Sequence, residues 1–107
     1  MRLEDLEGEF IRLVPEGPQT SFEVVPSLAK ADGVSFLCPL CYARNGGSRG
    51  THSVLCWFDN RSLPAHLLPR PRWLATGRDL ETLTLSPSVH LAGTCEWHGW
   101  VRSGSAA

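Results

Sequence analysis

The chain has 107 residues, and its 10 basic and 11 acidic residues leave a formal net charge of −1. This length suits one compact domain and excludes two. The balanced charge gives no chain-wide attraction to nucleic acid or to an anionic membrane, and no apolar run approaches the roughly 18 residues of a membrane span. Ten glycines and eight prolines indicate many turns between short elements. We therefore expect a mainly β protein without long helices.

The first third of the chain predicts a hairpin and a short helical turn. Residues 9–14 and 21–25 are β-prone runs, and the turn formers of residues 15–18 separate them. Residues 26–32 begin with a proline and permit one or two helical turns, which Gly33 would end. The first eight residues carry three acids and no apolar core, so they do not predict a secretory signal. We expect a cytoplasmic protein.

The remainder predicts several more short strands. A strand at 34–37 leads into Cys38, and the strand at 51–58 is the clearest in the sequence. Its period of two places His52, Val54, Cys56 and Phe58 on one face and Trp57 on the other. Residues 59–71 hold three prolines and predict an irregular connection. Three further strands are predicted at residues 83–85, 89–91 and 99–102.

Together these elements predict one domain over residues 1–107, mainly β, with about six or seven short strands and two zinc-knuckle-like turns. We divide it into an N-terminal hairpin-like segment at 1–32, a metal-binding core at 33–104 and a frayed tail at 105–107.

Four cysteines are the most informative feature of the composition. Cytoplasmic thiols stay reduced, so an ordered cysteine pattern there indicates a metal or catalysis more often than disulfides. Cys38-x-x-Cys41 and Cys95-x-x-His98 each have the spacing of a zinc knuckle. Two such pairs complete the tetrahedral set that Zn²⁺ prefers. The sequence therefore predicts a structural zinc ion bound by Cys38, Cys41, Cys95 and His98.

Other interpretations use the same residues. A redox dithiol at Cys38 and Cys41 would need a helix N-terminus to lower the thiol pKa, and the sequence predicts a glycine-rich loop after Cys41 instead. Ordinary buried thiols are a second alternative. Cys56 lies in the middle of a strand and is predicted to be a core residue.

His52 decides between a closed and an open metal site. It could be a fifth ligand, or it could donate a hydrogen bond to a ligating thiolate. An open site would make the chain a small zinc hydrolase with His52 or Glu96 as the acid or base, although Glu96 is more simply a solvated side chain. The Gly-x-Ser-x-Gly motif is absent, and the sequence gives no support for Ser-His-Asp catalysis.

Three residues of the proline-rich region suggest a different class of function. Arg70, Arg72 and Trp73 could form a basic and aromatic surface for single-stranded nucleic acid. The more economical interpretation is that the four tryptophans cover a small core. His66 and His90 are read as surface residues. Nucleic acid is therefore not the expected partner.

Three segments carry a resemblance to a known family. They are residues 33–41, 50–58 and 93–104, and Pro87-Ser88-Val89 also fits the pattern. They resemble a small uncharacterised domain family of phages, prophages and bacteria, whose members often bear the automatic label "ammonia monooxygenase". That label describes a membrane-associated copper enzyme, and this chain has no His-rich copper site. The resemblance implies a metal site, a phage or prophage origin and, for some relatives, a gene neighbourhood with ubiquitin-like conjugation systems.

The sequence as a whole favours a phage-type, zinc-stabilised interaction module without enzymatic activity. Its partner would be an unidentified phage or host protein, as for a virion component or a host-directed effector. The expected location is the host cytoplasm or the virion. The zinc hydrolase and the nucleic-acid binder are the alternatives.

Overall fold

A four-stranded antiparallel sheet forms the framework of the computed structural model, which describes residues 1–16, 19–59 and 71–107 and, for residues 15, 16, 19 and 20, the backbone alone. The strands are β1 (Glu9–Glu16), β2 (Gln19–Val25), β3 (Gly33–Leu37) and β4 (Ser53–Trp57). Their order across the sheet is β2-β1-β3-β4. The predicted hairpin is confirmed, with Phe10 opposite Val25 in its register.

The two faces of this sheet differ in what covers them. One face holds Phe10, Val34 and Cys56, which belong to the main core. The other holds Ile11 and Trp57, a separate small cluster. A Cβ atom at Gly33 would lie 2.9 Å from the Trp57 ring, so the indole packs closely only because residue 33 is glycine. Trp57 is therefore buried although it lies on the face opposite the core.

In the part of the chain that the structure describes, three short helical segments accompany the strands. Two are 3₁₀ turns, at Leu3–Leu6 and Leu28–Lys30, and the second confirms the helical turn expected before Gly33. The third, α1 (Pro39–Asn45), was not predicted: the sequence indicated only a turn and a loop there. Pro39 occupies its first turn and Gly46 ends it with φ 69. A proline at the start and a glycine at the end are ordinary helix boundaries. The run of glycines that follows residue 45 favoured a loop in the sequence-based prediction.

Residues 71–107 hold three two-stranded pairs. Strand β5 (Leu74–Thr76) pairs with β6 (Thr84–Ser86), and β7 (Val89–His90) with β8 (His98–Gly99). Strand β9 (Val101–Arg102) pairs with β10 (Ser105–Ala106). The described residues thus hold more strands than expected, because several are only two or three residues long. The mainly β, single-domain character is confirmed.

The last residues of the chain pair and pack, where the sequence predicts a frayed tail. Ala106 is buried and donates its backbone N–H to Met1 O at 2.7 Å. Ala107 and Trp100 exchange two backbone hydrogen bonds, of 2.8 and 3.0 Å. The last residues are held by pairing with β9 and by the burial of Ala106 in the core. A run of small residues at a chain end indicates neither contact.

Among the described residues, no helix has the length and apolar character to span a membrane. Most of the predicted irregular connection, residues 60–70, lies outside the described residues, and so do His66 and Arg70.

Candidate functional site: a thiol cluster and a serine–histidine pair

Three cysteines and one histidine converge on one point. Their potential ligand atoms, three Sγ and one imidazole nitrogen, all lie within 4.8 Å of one another; the residues are Cys38, Cys41, His52 and Cys95. Cys38 Sγ lies 3.5 Å from Cys95 Sγ, and His52 Nε2 lies 3.3 Å from Cys95 Sγ. Ligands on a tetrahedral zinc ion are about 3.8 Å apart, given bond lengths of about 2.3 Å. The donor set and its spacing are compatible with a metal site.

The sheet and α1 bring the first three of these residues together. Cys38 follows β3 and precedes α1, and Cys41 lies one helical turn later. His52 directly precedes β4, and the β3–β4 pairing continues into a bond from the Cys38 N–H to His52 O at 3.0 Å. Antiparallel pairing therefore places residues 38 and 52 side by side, although thirteen residues separate them in the sequence.

Cys95 comes from the other half of the molecule. It lies in the loop that joins β7 to β8, residues 91–97. Trp97, at the end of this loop, is buried and packs edge-on against Phe36 of β3 with ring centroids 6.1 Å apart. This contact docks the loop on the main sheet beside Cys38.

The thiols of the cluster ionise differently. Burial alone would raise the pKa of Cys95, but hydrogen bonds from the Trp97 backbone, from His52 and from the neighbouring thiols lower it to about 6. Burial and the neighbouring thiols raise the pKa of Cys41 to about 11. One thiolate therefore forms readily, and a divalent cation would supply the charge that lets the others deprotonate.

The redox alternative is not favoured by this geometry. A helix does begin at the Cys38-x-x-Cys41 turn, which corrects the expectation of a loop. Cys38 is nevertheless fully buried, so it is inaccessible to the disulfide of a partner. Cys56 is also fully buried, and burial raises its pKa to about 12, in agreement with a core role.

His98 lies outside the thiol cluster. Its Nε2 is 2.9 Å from Ser88 Oγ. Strands β7 and β8 place Val89 opposite Gly99 and His90 opposite His98, so Ser88 and His98 are diagonal neighbours on one face. Cys95 and His98 therefore diverge: the loop directs the first to the thiols, and the strand directs the second to the serine.

A hydrogen bond to its backbone oxygen holds Ser88 in place, and His98 is exposed to solvent. The Trp73 indole N–H donates to Ser88 O at 3.2 Å. Val89 and Gly99, the neighbours of the pair, are buried, whereas Ser88 is half-buried and His98 exposed. The hydroxyl and the imidazole thus lie at the surface on a fixed hairpin.

Two more polar residues of the same hairpin lie next to this pair. The rings of His90 and His98 stack, with centroids 4.9 Å apart and planes 28° apart. His90 Nε2 lies 3.3 Å from Glu96 Oε2, and Glu96 Oε1 accepts the Gly93 backbone N–H at 2.8 Å. The bond from the Gly93 backbone and, to a smaller extent, the bond to His90 lower the pKa of Glu96. The Glu96 carboxylate therefore bonds to residues of its own hairpin and not to the thiols.

The other predicted residues that the structure describes do not form the expected nucleic-acid surface. Trp73 is buried, which does not favour the stacking surface proposed with Arg70 and Arg72. A groove of about 410 Å³ carries four carboxylates and includes none of the cluster residues; the acids are Glu4, Glu9, Asp79 and Glu81.

The architecture defines a small, mainly β domain that combines a Cys3His cluster with a surface serine–histidine pair. Residues 14–107 match the model of the family described as "Bacterial ubiquitination-like system serine protease (BubE)". The chain belongs to this family. Neither the curated proteins nor the solved structures include a match.

Sequence reasoning missed Ser88, and it missed α1. No motif marks the serine, because a surface serine–histidine pair on two short paired strands needs no Gly-x-Ser-x-Gly turn. The available signal was the alternation of Ser88, Val89 and His90 against His98 and Gly99. It becomes informative only once the two segments are known to pair.

Proposed function

We propose that this chain is a serine protease of a bacterial ubiquitination-like system, with Ser88 as nucleophile and His98 as general base. The observation that carries the proposal is the 2.9 Å contact between Ser88 Oγ and His98 Nε2. The family to which the chain belongs supplies the reaction class and the system. A nucleophile within hydrogen-bond reach of a base is the geometric requirement for this chemistry.

The pair acts by acyl transfer. His98, with its proton on Nδ1, accepts the Ser88 hydroxyl proton at Nε2 while Oγ bonds to the substrate carbonyl carbon. The tetrahedral intermediate collapses, the C–N bond breaks, and His98 donates the proton to the leaving amine. Water then attacks the acyl-serine ester by the same steps, which releases the acid and restores the Ser88 hydroxyl.

The exposure of the pair favours a polypeptide substrate. A surface hydroxyl on a hairpin suits an extended chain end or a linkage between two proteins better than an enclosed small molecule. We propose as substrate the ubiquitin-like protein of such a system, cleaved at an amide bond that follows its folded part.

We propose further that the thiol cluster binds a structural zinc ion through Cys38, Cys41, His52 and Cys95. Three thiolates and one imidazole form a ligand set typical of closed zinc sites. With four protein ligands the ion would stabilise the fold and bind no substrate. This does not favour the alternative of an open zinc hydrolase that uses His52 or Glu96.

An interaction module without enzymatic chemistry remains a second proposal. The phage or prophage origin and the cytoplasmic or virion location belong to it, and the resemblance alone supports all three. The serine–histidine contact favours the protease over it.

Labelling with a fluorophosphonate tests the proposed nucleophile without a known substrate. An activated serine displaces fluoride and forms a stable phosphonyl ester, which mass spectrometry locates. We expect one adduct, on Ser88, and we expect Ser88→Ala and His98→Ala to lower the labelling rate by about 10³-fold or more.

Ser86→Ala is the matched control, because Ser86 is an exposed serine two residues away. It should label like the parent. An adduct at another residue, or undiminished labelling of Ser88→Ala, would refute the assignment.

A further inference from the structure

We infer that His90, held by Glu96, is the positioning residue that fixes the imidazole of His98 toward Ser88. The inference rests on the proposed function. It assigns to two exposed residues of the hairpin the task that a carboxylate performs in a Ser-His-Asp triad, by ring stacking in place of a hydrogen bond.

The first observation is what His98 contacts. In a triad, a carboxylate bonded to Nδ1 orients the imidazole. Within the described residues, the hydrogen bond of the His98 side chain is the one to Ser88, and its ring contact is the stack on His90. An exposed imidazole on one hydrogen bond would rotate about χ1 and χ2. The His90 ring, with its plane 28° from that of His98, restricts this rotation.

The second observation is that His90 is itself held. Its side chain is half exposed, so packing alone does not fix it. Glu96 Oε2 lies 3.3 Å from His90 Nε2, and the other carboxylate oxygen of Glu96 accepts the Gly93 N–H. Both carboxylate oxygens are therefore engaged, one by the loop backbone and one by the imidazole.

The third observation is the backbone of Glu96. Its φ of 62 lies in the left-handed region, where residues other than glycine are uncommon. This conformation carries a cost that the surrounding contacts must offset. In it the carboxylate reaches Gly93 within the loop and His90 on the opposite strand. The strained position and the engaged carboxylate thus belong to one arrangement.

Enzyme kinetics and NMR together test the inference. Fluorophosphonate labelling of the full chain yields a maximal rate constant, kinact, and an apparent binding constant, KI. We expect His90→Ala to lower kinact by about tenfold and to leave KI within about twofold, because only the orientation of the base changes. His90→Phe keeps a flat ring against His98 and should restore kinact to within about threefold of the parent.

Glu96→Ala should also lower kinact, by less than His90→Ala, because the His90 ring remains present but is less restricted. Glu23→Ala on strand β2 is its matched control: Glu23 also bonds an exposed side chain, that of Arg12. Parent-like kinetics in Glu96→Ala would remove Glu96 from the arrangement.

NMR of the ¹³C-labelled His98 ring provides a readout that needs no activity. The His90 ring should shift the His98 ring protons by its ring current. His90→Ala should abolish this shift and His90→Phe should preserve a shift of similar size. An unchanged His98 spectrum in His90→Ala, or a kinact of the parent's size, would overturn the inference.

The two proposals fail in different ways. Undiminished labelling of Ser88→Ala contradicts the protease, and the NMR comparison then decides alone whether His90 orients His98. Loss of labelling in Ser88→Ala with full labelling in His90→Ala contradicts the positioning role and leaves the protease standing. A His90→Phe variant as slow as His90→Ala would also overturn the stacking argument.

Discussion

We propose different tasks for His52 and His98, two side chains of the same type. His52 Nε2 lies 3.3 Å from Cys95 Sγ, whereas His98 Nε2 lies 2.9 Å from Ser88 Oγ. An imidazole serves equally as a zinc ligand and as a general base. The position of each ring in the fold therefore decides which of the two tasks we propose for it.

Exchanging either histidine for alanine separates the two tasks. We expect His52→Ala to weaken zinc binding by at least 10–100-fold, because it removes one of four ligands. We expect His98→Ala to retain about one zinc ion per chain while it loses fluorophosphonate labelling. Mass spectrometry measures the zinc content of each variant, and competition with a coloured chelator measures its affinity for zinc. Zinc lost from His98→Ala and kept by His52→Ala would instead support the ligand set that the Cys95-x-x-His98 spacing predicts.

At the scale of elements, the β7–β8 hairpin connects the thiol cluster to the serine–histidine pair. Ser88 directly precedes its first strand and His90 ends that strand, His98 begins the second strand, and Cys95 lies in the loop between them. A metal ion on Cys95 would therefore hold the loop of the hairpin against β3 and α1. Such an ion would take no part in the proposed chemistry, but it would restrict the geometry on which that chemistry depends.

Removal of the metal should therefore loosen this hairpin before the β1–β2 hairpin. We expect a chelator to increase amide hydrogen exchange in residues 88–99 and to lower fluorophosphonate labelling by at least about tenfold, because local openings become more frequent. Exchange in Phe10 to Leu13 of β1 is the internal reference. Zinc added back should reverse both effects. Unchanged exchange in the hairpin of metal-depleted protein would contradict the clamp.

At the scale of the whole molecule, the two ends of the described chain meet. The N-terminal ammonium donates to Ala106 O at 2.8 Å, and Arg2 forms a bridge with Ser105. Strand β10 pairs with β9, which begins two residues after Gly99. The last residues thus support the segment that carries His98, the proposed general base.

Deletion of residues 105–107 should destabilise the protein by about 2–4 kcal/mol. It removes the bond from the Ala106 N–H to Met1 O, the two bonds between Ala107 and Trp100, and the burial of Ala106; each hydrogen bond contributes about 1 kcal/mol. Urea denaturation measures the change. Ser105→Ala, which keeps the backbone pairing, should cost less than about 1 kcal/mol. Equal stability of the deletion and the parent would show that β10 contributes nothing.

Local patterns were sufficient for part of this description. The alternation in residues 9–14 and 21–25 predicts the β1–β2 hairpin, and the cysteine spacing singles out Cys38, Cys41 and Cys95, which the structure brings together. The burial of Cys56 follows from its place in a strand. These features depend on neighbours within a few residues, so the sequence carries them.

Two features of the candidate site lie beyond any local pattern. The 3.0 Å bond between Cys38 and His52 and the register that sets His90 opposite His98 both depend on which strands pair. Strand pairing is decided by burial and packing over the whole chain, where a shift of one residue would turn every side chain to the other face.

The sequence by itself determined a small, mainly β domain with three cysteines poised for a metal. Only the tertiary structure decided that His52 joins them, and that His98 turns instead to Ser88. The physical reason is that ligand and catalytic geometry are distances across strands. Such distances are set by the register of pairing, and spacing along the chain does not specify it.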